Sequence, residues 1–228
     1  MAATDSLSGL FKTGGIMAIL IVAIIPVQLF IFIAWPPPES VAEFFALFQQ
    51  NWLLGLLSLD LLYLFNNVFL IFVYLALYAA LKRVNHSAML MALISGIVGI
   101  AIYYASAVAF EMMSLSQQFA MAETTEMKQQ LMSAGQTLLV TYKGTAFDIY
   151  YVLNAVALLI ISFVMLKDTT FSKTTGVFGL VSGVLMIIPS TAGTLGLIFS
   201  IASLIPWIIF SILVSRRLFQ LSNKTVEK

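Results

Sequence analysis

An all-α bundle of membrane-spanning helices is the fold class this sequence predicts, and three observations predict it. Of 228 residues, 61% are hydrophobic and only 9% charged, against roughly 25% charged in soluble domains, and the mean hydropathy is +1.03. Apolar runs recur at lengths that suit a bilayer, which a helix crosses in ~20 residues. The polar residues inside those runs recur at intervals of three and four, the spacing that gathers side chains on one face of a helix. A single integral membrane domain over 1–228 is expected, with spans near 16–35, 53–81, 88–110, 145–166, 174–190 and 194–214.

Composition also excludes function classes. The chain has no cysteine and one histidine, His86, so thiolate and multi-histidine metal sites are ruled out and no cofactor is expected. A net charge of +1 provides no basic surface for nucleic acid. No HExxH, nucleophile elbow or phosphate-binding Gly-rich loop occurs, so an enzyme is not expected.

The first run follows Lys12 and reaches Trp35. It is longer than the ~7–15-residue core of a signal peptide and ends in Pro36-Pro37-Pro38, so it reads as a retained span, with Pro26 near its centre. Next, Ser40-Val-Ala-Glu43 has the form of a capping box. With Phe44, Phe45 and Phe48 behind it, this predicts a short amphipathic helix in the outer interface, flanked by Trp35 and Trp52.

The second run, Leu53 to Leu81, carries Asp60, Tyr63, Asn66 and Asn67. Read as one helix, it places Asp60, Tyr63, Asn67, Tyr74 and Tyr78 on one stripe. A lipid-facing Asp costs about 2.5–3.5 kcal/mol on insertion scales, so this stripe must face protein or a polar pocket. The third run holds Ser95-Gly96-Ile-Val-Gly99, small residues that let helices approach closely. Beyond it, Glu111 to Gln136 is the longest polar stretch. Thr124-Thr125 is a fitting cap, Glu126 to Ala134 a second short amphipathic helix, and Gly135 its stop.

The fourth run repeats the second. Asp60-x-x-Tyr63-x-x-Asn66 is answered by Asp148-x-x-Tyr151-x-x-Asn154, and Ser95-Gly96 by Ser182-Gly183 downstream. Both copies run in the same direction, which makes a parallel repeat. The fifth and sixth runs form a hairpin across Pro189-Ser-Thr-Ala-Gly193-Thr, with Gly176, Gly179 and Gly183 as a small-residue stripe. Lys12, Lys82, Arg83, Lys167, Lys173, Arg216, Arg217, Lys224 and Lys228 fall on one side of this topology, and only Lys128 and Lys143 on the other. The positive-inside bias therefore predicts that both termini are cytoplasmic.

The chain as a whole resembles the uncharacterised families of small bacterial polytopic membrane proteins classed as domains of unknown function. The resemblance rests on the six spans, the acid in span two, the Ala76-Leu-Tyr78 to Lys82-Arg83-Val-Asn85 exit and the Pro-Ser-Thr-Ala-Gly-Thr hairpin. It implies a bacterial or archaeal cytoplasmic membrane and carries no activity with it.

Two functional readings follow. In the first, Asp60, Tyr63, Asn67, Asp148, Tyr151 and Asn154 line an outward-facing pocket between spans two and four. Glu111 and Lys143 stand at its mouth, and the pocket binds or transports a small molecule or cation. In the second, the glycine faces and outer helices dock a membrane-protein partner or a second copy, making the chain a structural, assembly or sensory subunit.

Overall fold

The computed structural model describes residues 2–226, with side chains over 7–224, and no strand occurs among them. Ten helices follow in order: α1 (Ala2–Ala34), α2 (Val41–Gln50), α3 (Trp52–Ser58), α4 (Leu61–Leu81), α5 (His86–Ser106), α6 (Ala109–Met121), α7 (Thr125–Tyr142), α8 (Thr145–Leu166), α9 (Lys173–Leu185) and α10 (Gly193–Val226). Five stretches are long and apolar enough to cross a membrane: Leu7–Ala34, Leu61–Leu81, His86–Met121, Thr125–Leu166 and Gly193–Lys224. Large apolar side chains on them face outward, Phe30, Ile33 and Ile205 being 64%, 79% and 67% exposed. Such a surface suits lipid, not water. The protein is an all-α, multi-pass membrane protein.

The chain divides into two compact units. The first holds residues up to Ala23, Asn66–Ala101 and the chain from Asp148 onward. Within it, close contacts fix the relative directions of the helices. Ser8 and Ser222 exchange hydroxyl-to-carbonyl bonds of 3.1 Å each way, and the Ser215 hydroxyl donates to the Gly15 carbonyl at 2.7 Å. These bonds set α1 and α10 antiparallel, with the start of one beside the end of the other. Gly14 sits against Ala76 and Leu218, with no room for a Cβ, which brings the end of α4 to the same place.

The glycine stripe of α9 is consumed inside this unit. A Cβ on Gly176 would meet Leu166 at 2.8 Å, one on Gly179 the Phe210 ring at 2.9 Å, and one on Gly183 Leu159 at 2.9 Å. Thus α9 lies antiparallel to α8 and presses on α10, where the Ser182 hydroxyl also bonds the Ser203 carbonyl at 3.3 Å. The expectation that these glycines form a docking face is corrected: the chain itself covers them.

The second unit holds Ile24–Phe65 and Ile102–Phe147. Its apolar core is built from Val41, Phe44, Phe45 and Phe48 of α2, Leu56 of α3 with Leu59 after it, and Ala109 and Met112 of α6. The predicted capping box starts α2: the Ser40 hydroxyl accepts from Glu43 N at 3.3 Å, and the Glu43 carboxylate accepts from Ser40 N at 3.3 Å. A further bond from the Glu39 amide and the Ser40 amide hold the Glu43 carboxyl below the usual carboxylate range. However, the aromatic side of α2 does not lie on lipid. Phe45 is 1% exposed, packs its ring at a tilt against Phe119 at a centroid distance of 5.2 Å, and its carbonyl takes the Ser116 hydroxyl at 2.8 Å.

Other boundaries depart from expectation for physical reasons. Thr124 caps α7 as predicted, accepting from Met127 N at 3.2 Å, yet the helix runs through Gly135 to Tyr142. That glycine is a contact point: a Cβ there would meet Val41 at 2.5 Å. Span five shrinks to the 13 residues of α9, about 20 Å at 1.5 Å per residue, short of the ~30 Å hydrocarbon core. The continuous span 53–81 does not exist. It is cut between Ser58 and Leu61 into α3 and α4.

Candidate functional site

That cut is where the second unit gathers its polar groups. Asn51 caps α3, its side-chain oxygen accepting from Leu54 N at 3.0 Å, and seven residues later the helix stops. Leu59 leaves helical geometry, and Asp60 takes φ 62°, the left-handed region. Among residues other than glycine, Asp and Asn enter this region most readily. The Asp60 carbonyl then accepts from Tyr63 N at 2.8 Å and Leu64 N at 3.3 Å, which starts α4. Carbonyls freed by such a break need donors, and Gln28 of α1 reaches one, Leu57 O, through Nε2 at 3.4 Å.

The Asp60 carboxylate accepts a hydrogen bond from the phenol of Tyr142, the last residue of α7. Helix α7 stops there because Lys143 and Gly144 form a turn, with Gly144 N bonded to Thr141 O at 3.1 Å. A broken helix and a helix end therefore meet through one carboxylate–phenol pair. Around it stand three more tyrosines. The Tyr63 and Tyr103 rings lie 5.6 Å apart, Tyr103 and Tyr104 6.1 Å apart, and the Tyr104 hydroxyl donates to Leu64 O at 2.9 Å.

Beside the pair is a cavity of about 210 Å³, walled by Phe32, Pro37, Pro38, Phe44 and Leu139, with Ser58, Tyr142, Lys143 and Glu39 as its polar members. Ser58 is 3% exposed, and its hydroxyl has no hydrogen-bond partner among the described residues. An open groove of about 570 Å³ lies between α6 and α7, lined by Glu111, Ser114, Leu115, Ala134, Thr137 and Leu138. The two residues predicted to share one pocket mouth are thus split: Lys143 borders the cavity and Glu111 the groove.

The remaining predicted residues belong to the first unit, where they tie helices together. The Tyr150 hydroxyl donates to Asn67 Oδ1 at 2.9 Å, and the Tyr74 hydroxyl to Asn154 Oδ1 at 2.6 Å. Both partners advance together along the two helices, so α4 and α8 run side by side in the same direction. Helix α5 provides a flat wall for this crossing. A Cβ on Gly99 would sit 2.7 Å from Asn154 Nδ2, and one on Gly96 would strike the Tyr74 ring. Asn67 is fully buried and its Nδ2 has no partner among the described residues. Asp148 accepts from the Thr191 hydroxyl of the Pro189–Gly193 turn, and the Tyr151 hydroxyl donates to Ser200 of α10 at 2.8 Å.

The two aspartates therefore have different companions, Tyr142 for Asp60 and Thr191 for Asp148. Sequence reasoning missed Ser58, Tyr142, Tyr150, Thr191 and Ser200. Tyr142 carried a signal, since it precedes Lys143-Gly144 at the edge of an apolar run; Ser58 carried none. A family model described as "Domain of unknown function (DUF4386)" matches residues 13–218. No curated protein and no solved structure matches the chain.

Proposed function

The chain belongs to the DUF4386 family, and we propose that this member binds a small cation, inorganic or a compact amine, in the cavity beside Asp60. The observation that carries the reading is the cavity itself. A buried, unpartnered Ser58 hydroxyl and the phenol holding Asp60 border one cavity of about 210 Å³. Drug-sized ligands occupy roughly 300–1,000 Å³, so the volume favours an ion or a small amine. The charges favour a cation. Glu39 lies on the wall and Asp60 behind Tyr142, against the single ammonium of Lys143. Tyrosine faces near a carboxylate suit an organic ammonium.

This narrows the earlier pocket of six residues to the cavity at the break of span two. Broken helices at intramembrane sites are a recurrent transporter device, and transport is the use we assign to the cavity. The proposed topology has six crossings, α9 forming the fifth with its flanking turns, and both chain ends in the cytoplasm of a bacterium or archaeon. We read α4–α5 and α8–α9 as copies of an ancestral pair, on the strength of Asp60-Tyr63-Asn66 and Asp148-Tyr151-Asn154.

The test is thermal unfolding of the full chain in detergent against series of sodium, potassium, methylammonium and tetramethylammonium chlorides. One of these should raise the midpoint, since a ligand at 100 times its Kd stabilises by about 2.7 kcal/mol. Asp60→Asn should abolish the shift while Asp148→Asn keeps it. A shift that survives Asp60→Asn, or no shift with any of the four cations, removes the reading.

A further inference from the structure

The basic end of the first unit carries a second concavity, independent of the Asp60 cavity. It measures about 570 Å³ and forms where the start of α1, the end of α4, the α8–α9 turn and the last part of α10 converge. Leu7, Phe11 and Leu221 make an apolar wall, and Lys82 and Arg83 stand on its rim. Both cations directly follow the apolar stretch Leu61–Leu81, so they sit where a membrane span ends. The Lys82 ammonium is 5.7 Å from the centroid of the Tyr78 ring, one turn back on α4.

One carboxylate, Asp168, also lines the space, but its hydrogen-bonding capacity is turned to the α8–α9 turn. It accepts from Thr170 N at 2.8 Å, and Arg217 donates from Nε to Thr170 O. The Thr170 hydroxyl, the turn amides and the Arg217 charge keep the Asp168 carboxyl below the usual carboxylate range. Lys82 and Arg83 are exposed and available.

We propose that this concavity binds an anionic phospholipid, its phosphate diester between Lys82 and Arg83 and an acyl chain along Leu7, Phe11 and Leu221. Basic pockets between membrane helices recognise anionic headgroups in this way. A free phosphate would gain from the two charges and nothing from the apolar wall, whereas an amphiphile uses both. The wall is thus the feature that selects the lipid over the inorganic anion.

The experiment titrates the full chain in detergent with short-chain phosphatidylglycerol, the matched phosphatidylcholine and sodium phosphate, reading thermal midpoint and bound lipid by native mass spectrometry. Phosphatidylglycerol should bind and stabilise, and the other two should not. Lys82→Gln with Arg83→Gln should weaken binding about 25-fold, about fivefold per charge. Arg83→Gln alone, the milder change, should weaken it about fivefold. Lys128→Gln, an equal loss of charge in the second unit, should leave it unchanged. Equal binding of phosphatidylcholine, full reproduction of the shift by sodium phosphate, or undiminished affinity in both rim variants would each overturn the proposal.

Discussion

At residue scale the decisive fact is the backbone of Asp60. A left-handed conformation costs an ordinary L-residue about 1–2 kcal/mol, glycine pays none of it, and Asp lies between. Side chain and backbone can therefore be separated by substitution. Asp60→Gly keeps the turn and removes the carboxylate; Asp60→Ala removes both. Chemical denaturation should find Asp60→Ala less stable than Asp60→Gly by about 1–2 kcal/mol, while both variants lose the cation-induced thermal shift. Equal stability of the two would mean that the break is held by Gln28 and packing, with no help from the conformational preference of residue 60. A retained shift in Asp60→Gly would mean that the carboxylate serves the backbone alone.

At the scale of elements, local chemistry was legible and tertiary demands were not. Ser40 with Glu43, and Thr124, announce their helix starts because a cap is a short-range hydrogen bond written within four residues. The α8 boundaries, Thr145–Leu166, coincide with those of the apolar run read at 145–166. The break at Leu59–Asp60 did not show, because Leu-Leu-Gly-Leu-Leu-Ser-Leu-Asp-Leu-Leu contains no proline, and its glycine, Gly55, sits inside α3 against Phe48. Gly135 misled for the converse reason: its role is contact with Val41, a residue far away in sequence. The Tyr–Asn crossing of α4 and α8 was half visible, with Asn67, Tyr74 and Asn154 evident and Tyr150 hidden beside the motif residue Tyr151. Its dependence on α5 can be measured. Gly99→Ala places a methyl 2.7 Å from Asn154 Nδ2, and overpacking of this kind costs about 1–3 kcal/mol. Ile97→Ala, on an exposed position of the same helix, should cost less than Gly99→Ala although it deletes side-chain carbons and Gly99→Ala adds one. The reverse order in detergent unfolding would show that α5 gives way freely at Gly99.

At the scale of the whole molecule, the distribution of charge acquires a structural basis. Ser8 lies against Ser222, Gly14 against Ala76, and Leu7, Lys82, Asp168 and Leu221 border one concavity. One end of the first unit thus collects the start of α1, the exit of α4, the α8–α9 turn and the end of α10. Eight of the nine lysines and arginines assigned to the cytoplasm belong to these described segments, and only Lys228 lies outside the described residues. Charges brought together at one end of a bundle resist translocation together, so the orientation should be strongly determined. The absence of cysteine makes it directly measurable. Lys167→Cys, Lys224→Cys and Lys128→Cys each introduce one thiol at an exposed position, and each can be probed in intact cells with a membrane-impermeant maleimide. Cysteine at 128 should label from outside, while 167 and 224 should label only after permeabilisation. Labelling of 167 and 224 on opposite sides would mean that α9 does not complete a crossing. The chain would then have five spans, with its 13-residue helix entering and leaving by the same face.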